Sequence, residues 1–288
     1  MAARPVMISA RRPATPVIGR YIALVMTVVL ALLFFSPIVW LSIASLSTNS
    51  GIALNPLGLP NGIHLDNYVR AWVNAHIGTY TANSVAISAL SAALIATIGT
   101  MAGYALSRLA FRGRRVALGL VLVGIAAPVF TYLVALNQLV TTLNLMNTRT
   151  VVVLVNCATF LPVPTLLLMA FFRDLSDELV DSARLDGARE WQVFLYIMTP
   201  LSRPAILVAL TFAFVWAWND VLLPVVFLQS TDKFTLPYGI ASLHQDQYRQ
   251  DYVTTFAASV ISTLPMLALY GYLQRSFVTG LTAGAVKG

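Results

Sequence analysis

Six apolar runs divide this sequence, at about Tyr21–Leu46, Val85–Leu106, Val116–Val140, Val151–Phe172, Ala205–Leu228 and Val253–Leu273, each bounded by polar or charged residues. A hydrocarbon core of ~30 Å is crossed by roughly 20 apolar residues in a helix, so every run is long enough to span. Open strands cannot satisfy their backbone N–H and C=O groups in lipid, whereas a helix does so internally. The sequence therefore reads as an all-α polytopic membrane protein with six transmembrane helices. Composition agrees: 10% of residues are charged, against about a quarter in a soluble domain, and the mean hydropathy is +0.78. The single cysteine, Cys157, lies inside an apolar run, which excludes an intrachain disulfide and a thiolate metal cluster.

Arg4, Arg11, Arg12 and Arg20 precede the first run, as basic residues precede a signal peptide. A cleavable apolar region is usually about 7–15 residues; this one is much longer and is expected to stay as a membrane anchor. The positive-inside rule sets the sidedness. With the N-terminus in the cytoplasm, inner segments collect those four arginines with Arg108, Arg112, Arg114, Arg115, Arg173, Arg184, Arg189, Arg203, Arg275 and Lys287. Of the 18 basic residues, only Arg70, Arg149, Lys233 and Arg249 then face outward. Both termini are cytoplasmic on this reading. The net charge of +7 is topogenic, because the cations flank spans and form no single nucleic-acid-binding patch. Residues 1–20 make a basic arm, 21–277 the transmembrane domain and 278–288 a cytoplasmic tail. Outer loops cover Ser47–Gly78, with turn signals at Asn55-Pro56, Gly58, Pro60 and Asn61-Gly62, and about Gln229–Asp251. His64, His76 and His244 fall in these loops without ligand-like spacing, so no metal site is expected.

Between the fourth and fifth runs, residues 173–203 are polar and cytoplasmic on this topology. Leu175, Leu179 and Ala183 recur at i, i+4 and i+8, while Asp174, Asp177, Glu178 and Asp181 fall mainly on other faces. That pattern predicts a short amphipathic helix whose acidic first turn suits the helix dipole. Gly187 stops or bends it, being free to adopt a left-handed backbone. Ala188–Met198 can form a second short helix, and Pro200 and Pro204 bracket the return to the membrane. Pro204 sits near a helix start, where a missing N–H costs little. Helices that lie on headgroups usually carry Lys and Arg on their polar face. Anionic lipid would repel this acid-rich one, so a docking element for a soluble partner fits better.

Asp181-Ser182-Ala183 and Asp186-Gly187-Ala188, followed by Phe194, Ile197, Pro200-Leu201 and Pro204, resemble the EAA loop of ATP-binding-cassette (ABC) importer permeases. The resemblance covers most of the chain. Asp66-Asn67-Tyr68 and Asn83-Ser84 are similar to the family's approach to its second span, and Leu145-Met146-Asn147-Thr148 to its turn between spans three and four. Trp218-Asn219-Asp220 resembles a fifth-span motif of the carbohydrate branch, and Gln274–Gly288 the C-terminal signature of the maltose-permease G-type subunit. Departures are mild: Asp181 stands for the usual Glu, Ser182 for the first Ala, Ser176 near the usual Pro, and Thr199 for an aliphatic before Pro200.

The resemblance implies a type I ABC importer permease fold in a bacterial cell (inner or plasma) membrane. It implies that Asp181, Ser182, Ala183, Asp186, Gly187, Ala188 and Pro200 couple to a cytoplasmic ATPase, with Asp181 and Asp186 pairing with its donors and the Ala283–Gly288 tail also within its reach. Implied partners are a related F-type permease, two ATPase subunits and an external sugar-binding protein. ATP and Mg belong to the ATPase, and this chain binds no cofactor. The implied cargo is a disaccharide or short oligosaccharide, with glycerol phosphate as the alternative, and the binding protein makes the choice.

The residues also bear on catalysis. Gly-x-x-x-x-Gly-Lys-Ser/Thr is absent, as is any nucleophile–base pair, so a transport subunit without enzyme chemistry is expected. A secondary carrier would show buried ionisable residues in several spans; a voltage sensor would show arginines at every third position within one. Here Asp220, in the outer half of the fifth run, is the one convincing intramembrane charge. Asn219 and Asp220 can line a sugar path or fix helix packing by hydrogen bonds. Trp216 and Trp218 can stack on a sugar, although packing or an interfacial position is the simpler account. Asn137, Gln138 and Asn156 are further candidates for a polar lining, and Pro128, Pro162 and Pro164 predict bent or opened helices.

Overall fold

A computed structural model describes residues 17–243 and 251–285, with side chains described for 19–243 and 251–271. The helices in chain order are α1 (Val17–Ala44), α2 (Asn49–Leu54), α3 (Asp66–Val69), α4 (Ile77–Arg108), α5 (Arg114–Ala126), α6 (Val129–Thr142), α7 (Arg149–Phe160), α8 (Pro162–Asp174), α9 (Asp177–Leu185), α10 (Glu190–Gln192), α11 (Thr199–Leu201), α12 (Arg203–Asn219), α13 (Leu222–Phe227), α14 (Leu236–Ser242) and α15 (Tyr252–Ala285). Wide π-helical turns follow α3 and α10, at Arg70–Asn74 and Val193–Met198. Arg4, Arg11, Arg12, His244, Arg249 and Lys287 lie outside the described residues.

Three segments are each long and apolar enough to cross a membrane: Gly19–Ala44, Ile77–Arg108 and Tyr252–Gly271. Three helix pairs qualify only when taken together across a bend: α5 with α6 (105°), α7 with α8 (50°), and Glu190–Leu201 with α12 (78°). Counting each pair as one crossing gives six. Local chemistry explains the breaks. Pro128 has no N–H to donate and holds Ala127 in an extended conformation (φ −84, ψ 111), which ends α5. Pro162 opens α8, and Pro204 occupies the first turn of α12, where no donor is needed.

The extents differ from the apolar runs in instructive ways. α4 begins at Ile77, well before Val85, because Ile77 and Tyr80 are buried although the residues around them are polar. The fifth run breaks after Asn219: Asp220 is extended, and its Oδ1 accepts the N–H groups of Leu222 (3.0 Å) and Leu223 (3.4 Å) to start α13. α15 continues to Ala285, so most of the stretch assigned as tail, 278–288, prolongs the last helix. The Ser47–Gly78 loop is ordered by one residue in particular. Buried Asn67 donates from Nδ2 to the Ser45 and Ser47 carbonyls, both at 2.8 Å.

α4 is central, packing on α7, α8 and α12. Gly103 brings α4 so close to α8 that a Cβ there would lie 2.9 Å from the Met169 backbone N and 3.0 Å from Leu168 Cβ. Small residues at such crossings are how membrane helices gain packing where lipid offers no hydrophobic drive. Among the described residues, α1 meets the rest of the chain only near its C-terminal end, where Trp40 and Ala44 pack on Phe256 and Val253; its apolar side chains from Tyr21 to Val39 are largely exposed, as suits a lipid-facing helix. α15 is tied to α2 at its start. Asp251 accepts hydrogen bonds from Asn49 Nδ2 (2.9 Å), from the Thr254 N–H (3.2 Å) and from the Thr254 hydroxyl (2.6 Å). Burial pushes the Asp251 carboxyl up, but the hydrogen bonds from Thr254 and Asn49 outweigh it and hold it below the ordinary 3.8. A lowered folded pKa stabilises above 3.8 and loses that contribution only as pH falls through the lowered value.

Gly103→Leu should destabilise the chain by about 1–3 kcal/mol, because backbone and not a mobile side-chain tip blocks the space. Gly119→Leu, at a site with nothing within 4 Å, is the control. Thermal unfolding in detergent compares the two. Asp251→Ala should cost about 1 kcal/mol through loss of a helix cap; equal melting of mutant and parent at neutral pH would count against that role.

Candidate functional site: the 173–203 element

α9 starts at Ser176, whose Oγ accepts the Glu178 N–H at 3.2 Å, and carries Asp177 and Glu178 in its first turn. It ends in a C-terminal cap built on Gly187 at φ +83. There Gly187 N–H donates to Arg184 O and Ala188 N–H to Ala183 O, both at 3.0 Å. These are the two bonds of a Schellman motif, and they require a left-handed residue at Gly187. The chain then turns into α10, where Gln192 Oε1 accepts the Arg189 N–H at 2.8 Å. Asp181, Ser182, Asp186, Gly187 and Pro200 are exposed, Ala188 is half-buried, and Ala183 faces inward. Asp186, Gly187, Ala188, Gln192, Tyr196 and Ile197 line an open cleft of ≈ 320 Å³.

The inward face differs in detail from the expected one. Leu175 precedes α9, and Leu179 is 45% exposed; Val180 and Ala183 are the buried pair. Leu175 still packs on the cluster from outside the helix, and Leu179 and Val180 both lie one turn from Ala183, so the packing against the bundle selects Val180. Val180 and Ala183 join Tyr104, Phe172, Val193 and Met198 in one apolar cluster. This cluster lies at the end of the bundle, and where water reaches it each fully buried side chain of this size contributes roughly 1.5–3 kcal/mol.

Polar ties reinforce it. Arg108, at the last residue of α4, donates from Nε to Phe172 O (2.8 Å), from Nη2 to Leu175 O, and from Nη1 to Asp177. Tyr104 donates its hydroxyl to Glu190 Oε2 at 3.1 Å, and Arg184 pairs with Glu190 Oε1 (2.7 Å) and Asp181 (3.4 Å). The hydrogen bond to Glu190 pushes the Arg184 guanidinium still further toward its charged form. Sequence marks Arg108 and Arg184 only as inner-side cations, and it does not mark Tyr104 or Glu190. The available signal was an Arg closing the second apolar run and opposite charges at 184 and 190.

The candidates for a polar path are dispersed. Trp218 is fully buried, stacked on Phe214 at 5.9 Å, and packs in the core with Ile87 and Phe227. Trp216 lies between Phe160 and Phe212. Asn219 is exposed and donates back to Val215 O at 2.8 Å, whereas Asp220 caps α13 and leaves Oδ2 buried without a hydrogen-bond partner. Asn156 is buried against α4, donating from Nδ2 to Ser91 Oγ at 3.4 Å. On α6, Asn137 is half-buried and Gln138 is exposed. Among the described residues no hydrogen bond joins any two of Asn137, Gln138, Asn156, Asn219 and Asp220. Nor do the described residues include a group of three or more His, Cys, Asp or Glu placed to hold a metal.

At the other end of the bundle, Asn147 (φ +57) binds the 229–233 segment through its side chain and its carbonyl. Its Oδ1 accepts the N–H groups of Gln229 and Ser230, its Nδ2 donates to Ser230 Oγ, and its carbonyl accepts Lys233 Nζ.

Comparison with known proteins matches this architecture. Residues 95–282 fit the family model described as "Binding-protein-dependent transport system inner membrane component". The chain is 34% identical over 252 residues to the diacetylchitobiose uptake system permease protein NgcG of Streptomyces coelicolor, covering 87% of this chain and 83% of that one. It is 35% identical to the arabinooligosaccharides transport system permease protein AraQ of Halalkalibacterium halodurans, covering 88% and 91%. Its fold is similar to a chain in the crystal structure of a bacterial ABC transporter involved in the import of the acidic polysaccharide alginate. The TM-score is 0.78 at 20% identity, over 92% of this chain and 99% of that one. Helical spans, an exposed helix–Gly–helix element and these matches together place the chain in the family of binding-protein-dependent transport system inner membrane components, as an ABC transport permease and not an enzyme.

Proposed function

We propose that this chain is one of two permeases of an ATP-driven importer for a disaccharide or short oligosaccharide, in a bacterial plasma membrane with both termini cytoplasmic. The observation that carries the coupling half of this reading is the exposed α9–Gly187–α10 element. It is capped at both ends of α9 and rests on a hydrophobic cluster that continues into α4, α8 and α12. A cytoplasmic ATPase seated against Asp181, Ser182, Asp186, Gly187, Ala188 and Pro200 would therefore move the bundle as its own dimer closes on ATP and Mg. Buried Ala183 lets α9 sit close to the bundle. Rigid-body displacement of packed elements is the usual route from such a push to alternating access.

The cargo half rests on relatives. Those named for diacetylchitobiose and arabinooligosaccharides share about a third of their residues with this chain along most of its length, as the identities of 34% and 35% indicate. An external binding protein delivers the sugar to the end bearing Ser47–Gly78 and the segment around Asn147 and Ser230, and an F-type permease supplies the other half of the path. Asn137, Gln138, Asn219 and Asp220 are this chain's contribution to a lining, whereas Asn156 and Trp218 are fully buried and serve the helix packing beside it.

Gly187→Asp should abolish uptake while expression and membrane insertion stay normal. The φ of +83 disfavours a side chain there, although no neighbour blocks it; wild-type uptake by this variant would falsify the coupling role. The purified chain alone should transport nothing with or without ATP, and should copurify with a second permease and an ATPase when the whole system is expressed. ATP-independent uptake by the isolated chain is the result that sinks the assignment. Calorimetry of the external binding protein against a panel of mono-, di- and oligosaccharides names the cargo; binding confined to monosaccharides or glycerol phosphate would overturn that part.

A further inference from the structure

The 173–203 element continues covalently into α8 on one side and α12 on the other, and both routes across the membrane are jointed. α8 meets α7 at a 50° bend, α12 follows Glu190–Leu201 at a 78° bend, and the fifth crossing breaks again at Asp220. Force entering a jointed helix pair is absorbed in part by rotation at the joint. α4 is different. It runs unbroken for 32 residues without proline, and it is not a direct chain neighbour of the element but is gripped by it.

The grip is made on both limbs. Arg108 uses three of its nitrogens on the entering limb: two donate to Phe172 O and Leu175 O, carbonyls at the end of α8, and one meets Asp177. Helix-end carbonyls have no intrahelical donor, so a planar guanidinium with several fixed N–H groups suits them better than an ammonium. With its side chain 9% exposed, Arg108 is the buried partner, and Asp177, at 82%, adds little by charge alone. On the leaving limb, Tyr104 hydrogen-bonds Glu190, which Arg184 of α9 also holds.

The other end of α4 is fastened to the 231–242 segment in the same manner. Asn83 Nδ2 donates to Asp232 O and Phe234 O, both at 2.9 Å, and Ser84 Oγ accepts the Leu236 N–H at 2.7 Å. The Tyr80 ring lies directly against Gly239 of α14 and 6.0 Å from the Phe234 ring. Asn83 and Arg108 are thus about 38 Å apart along one unbroken helix at 1.5 Å per residue.

We infer that α4 is the rod that carries displacement of the 173–203 element to the 231–242 segment at the opposite end of the bundle. Arg108 and Asn83 are the positioning residues that fasten its two ends. This rests on the coupling reading above. α4 delivers the motion to the segment that Asn147 also holds, so closure at one face and rearrangement at the other become one movement.

The test uses the whole complex with its ATPase, in a Cys157→Ala background, with a spin label on Thr231→Cys in the exposed start of that segment. Mg-ATP with vanadate is the probe, and the label's spectrum is the readout. The parent should show a spectral change on trapping. Arg108→Ala and Asn83→Ala should each lose it, while basal ATP hydrolysis and copurification of the ATPase persist. Arg108→Lys, which keeps the charge but not the fork, should also lose it. A parent label that does not respond although ATP is hydrolysed overturns the inference. So does a normal response in Asn83→Ala or Arg108→Lys, or release of the ATPase by Arg108→Ala, which would make Arg108 a docking residue. Should Arg108→Ala fail to insert, Arg108→Lys and Asn83→Ala decide the matter. A parent complex that never retains an ATPase refutes the coupling reading itself, a distinct result from a retained ATPase with a silent label.

Discussion

A backbone N–H or C=O freed inside hydrocarbon has no water to bond, and the way this chain meets that constraint accounts for most of its architecture. Where a helix stops, a side chain or a proline stands in. Pro128 removes a donor that would otherwise be orphaned between α5 and α6. Asp220 takes two amides at the start of α13, and Asn67, Asn83 and Asn147 bind loop carbonyls and amides at the same end of the bundle. Arg108 serves the carbonyls that close α8 at the other end. The same few polar residues therefore satisfy the backbone and decide which loop is fastened to which helix.

Packing in the middle of the bundle follows a different logic from packing at its end. Along α4 most of the inward residues are small: Ser84, Ser88, Ser91, Ala92, Ala96, Gly99 and Gly103 are buried, with Ile87 and Ile95 set among them. Close approach of backbones supplies the dispersion contacts there, because lipid is as apolar as any side chain. Around α9 the inward residues are large, with Phe172, Val193 and Met198 under Val180. At that end the hydrophobic effect operates, and it seats a polar, exposed element firmly on the membrane bundle. The difference explains how one chain holds a lipid-embedded core and an exposed polar element as one body.

The element from Arg173 to Arg203 was legible because its chemistry is local. An acidic first turn, a glycine that alone takes φ +83 without strain, and prolines at a helix start act within a few residues. The face it buries was not legible: Leu179 and Val180 are both apolar, and only the packing against Tyr104, Phe172, Val193 and Met198 chooses between them. Breaks at Pro128 and Pro162 could be anticipated from the missing donor, but their angles of 105° and 50° could not, since neighbouring helices set them. Trp218-Asn219-Asp220 shows the limit most plainly. Three residues adjacent in sequence go to a buried stack, an exposed helix end and a cap for the next helix.

Sequence by itself determined that the chain enters lipid, that it does so as helices, roughly where each begins and ends, and that one polar helix–glycine–helix segment stays outside. Those properties depend on summed hydrophobicity and on backbone preferences of single residues, which neighbours in space barely alter. Tertiary structure alone decided that α4 is the central helix, that Arg108 and Tyr104 reach the two limbs of the 173–203 element, and that Asn83 meets residues some 150 positions away. Such contacts depend on which helices lie side by side. In a membrane nearly every helix face is apolar enough to pack against any other, so the one-dimensional pattern leaves that choice open.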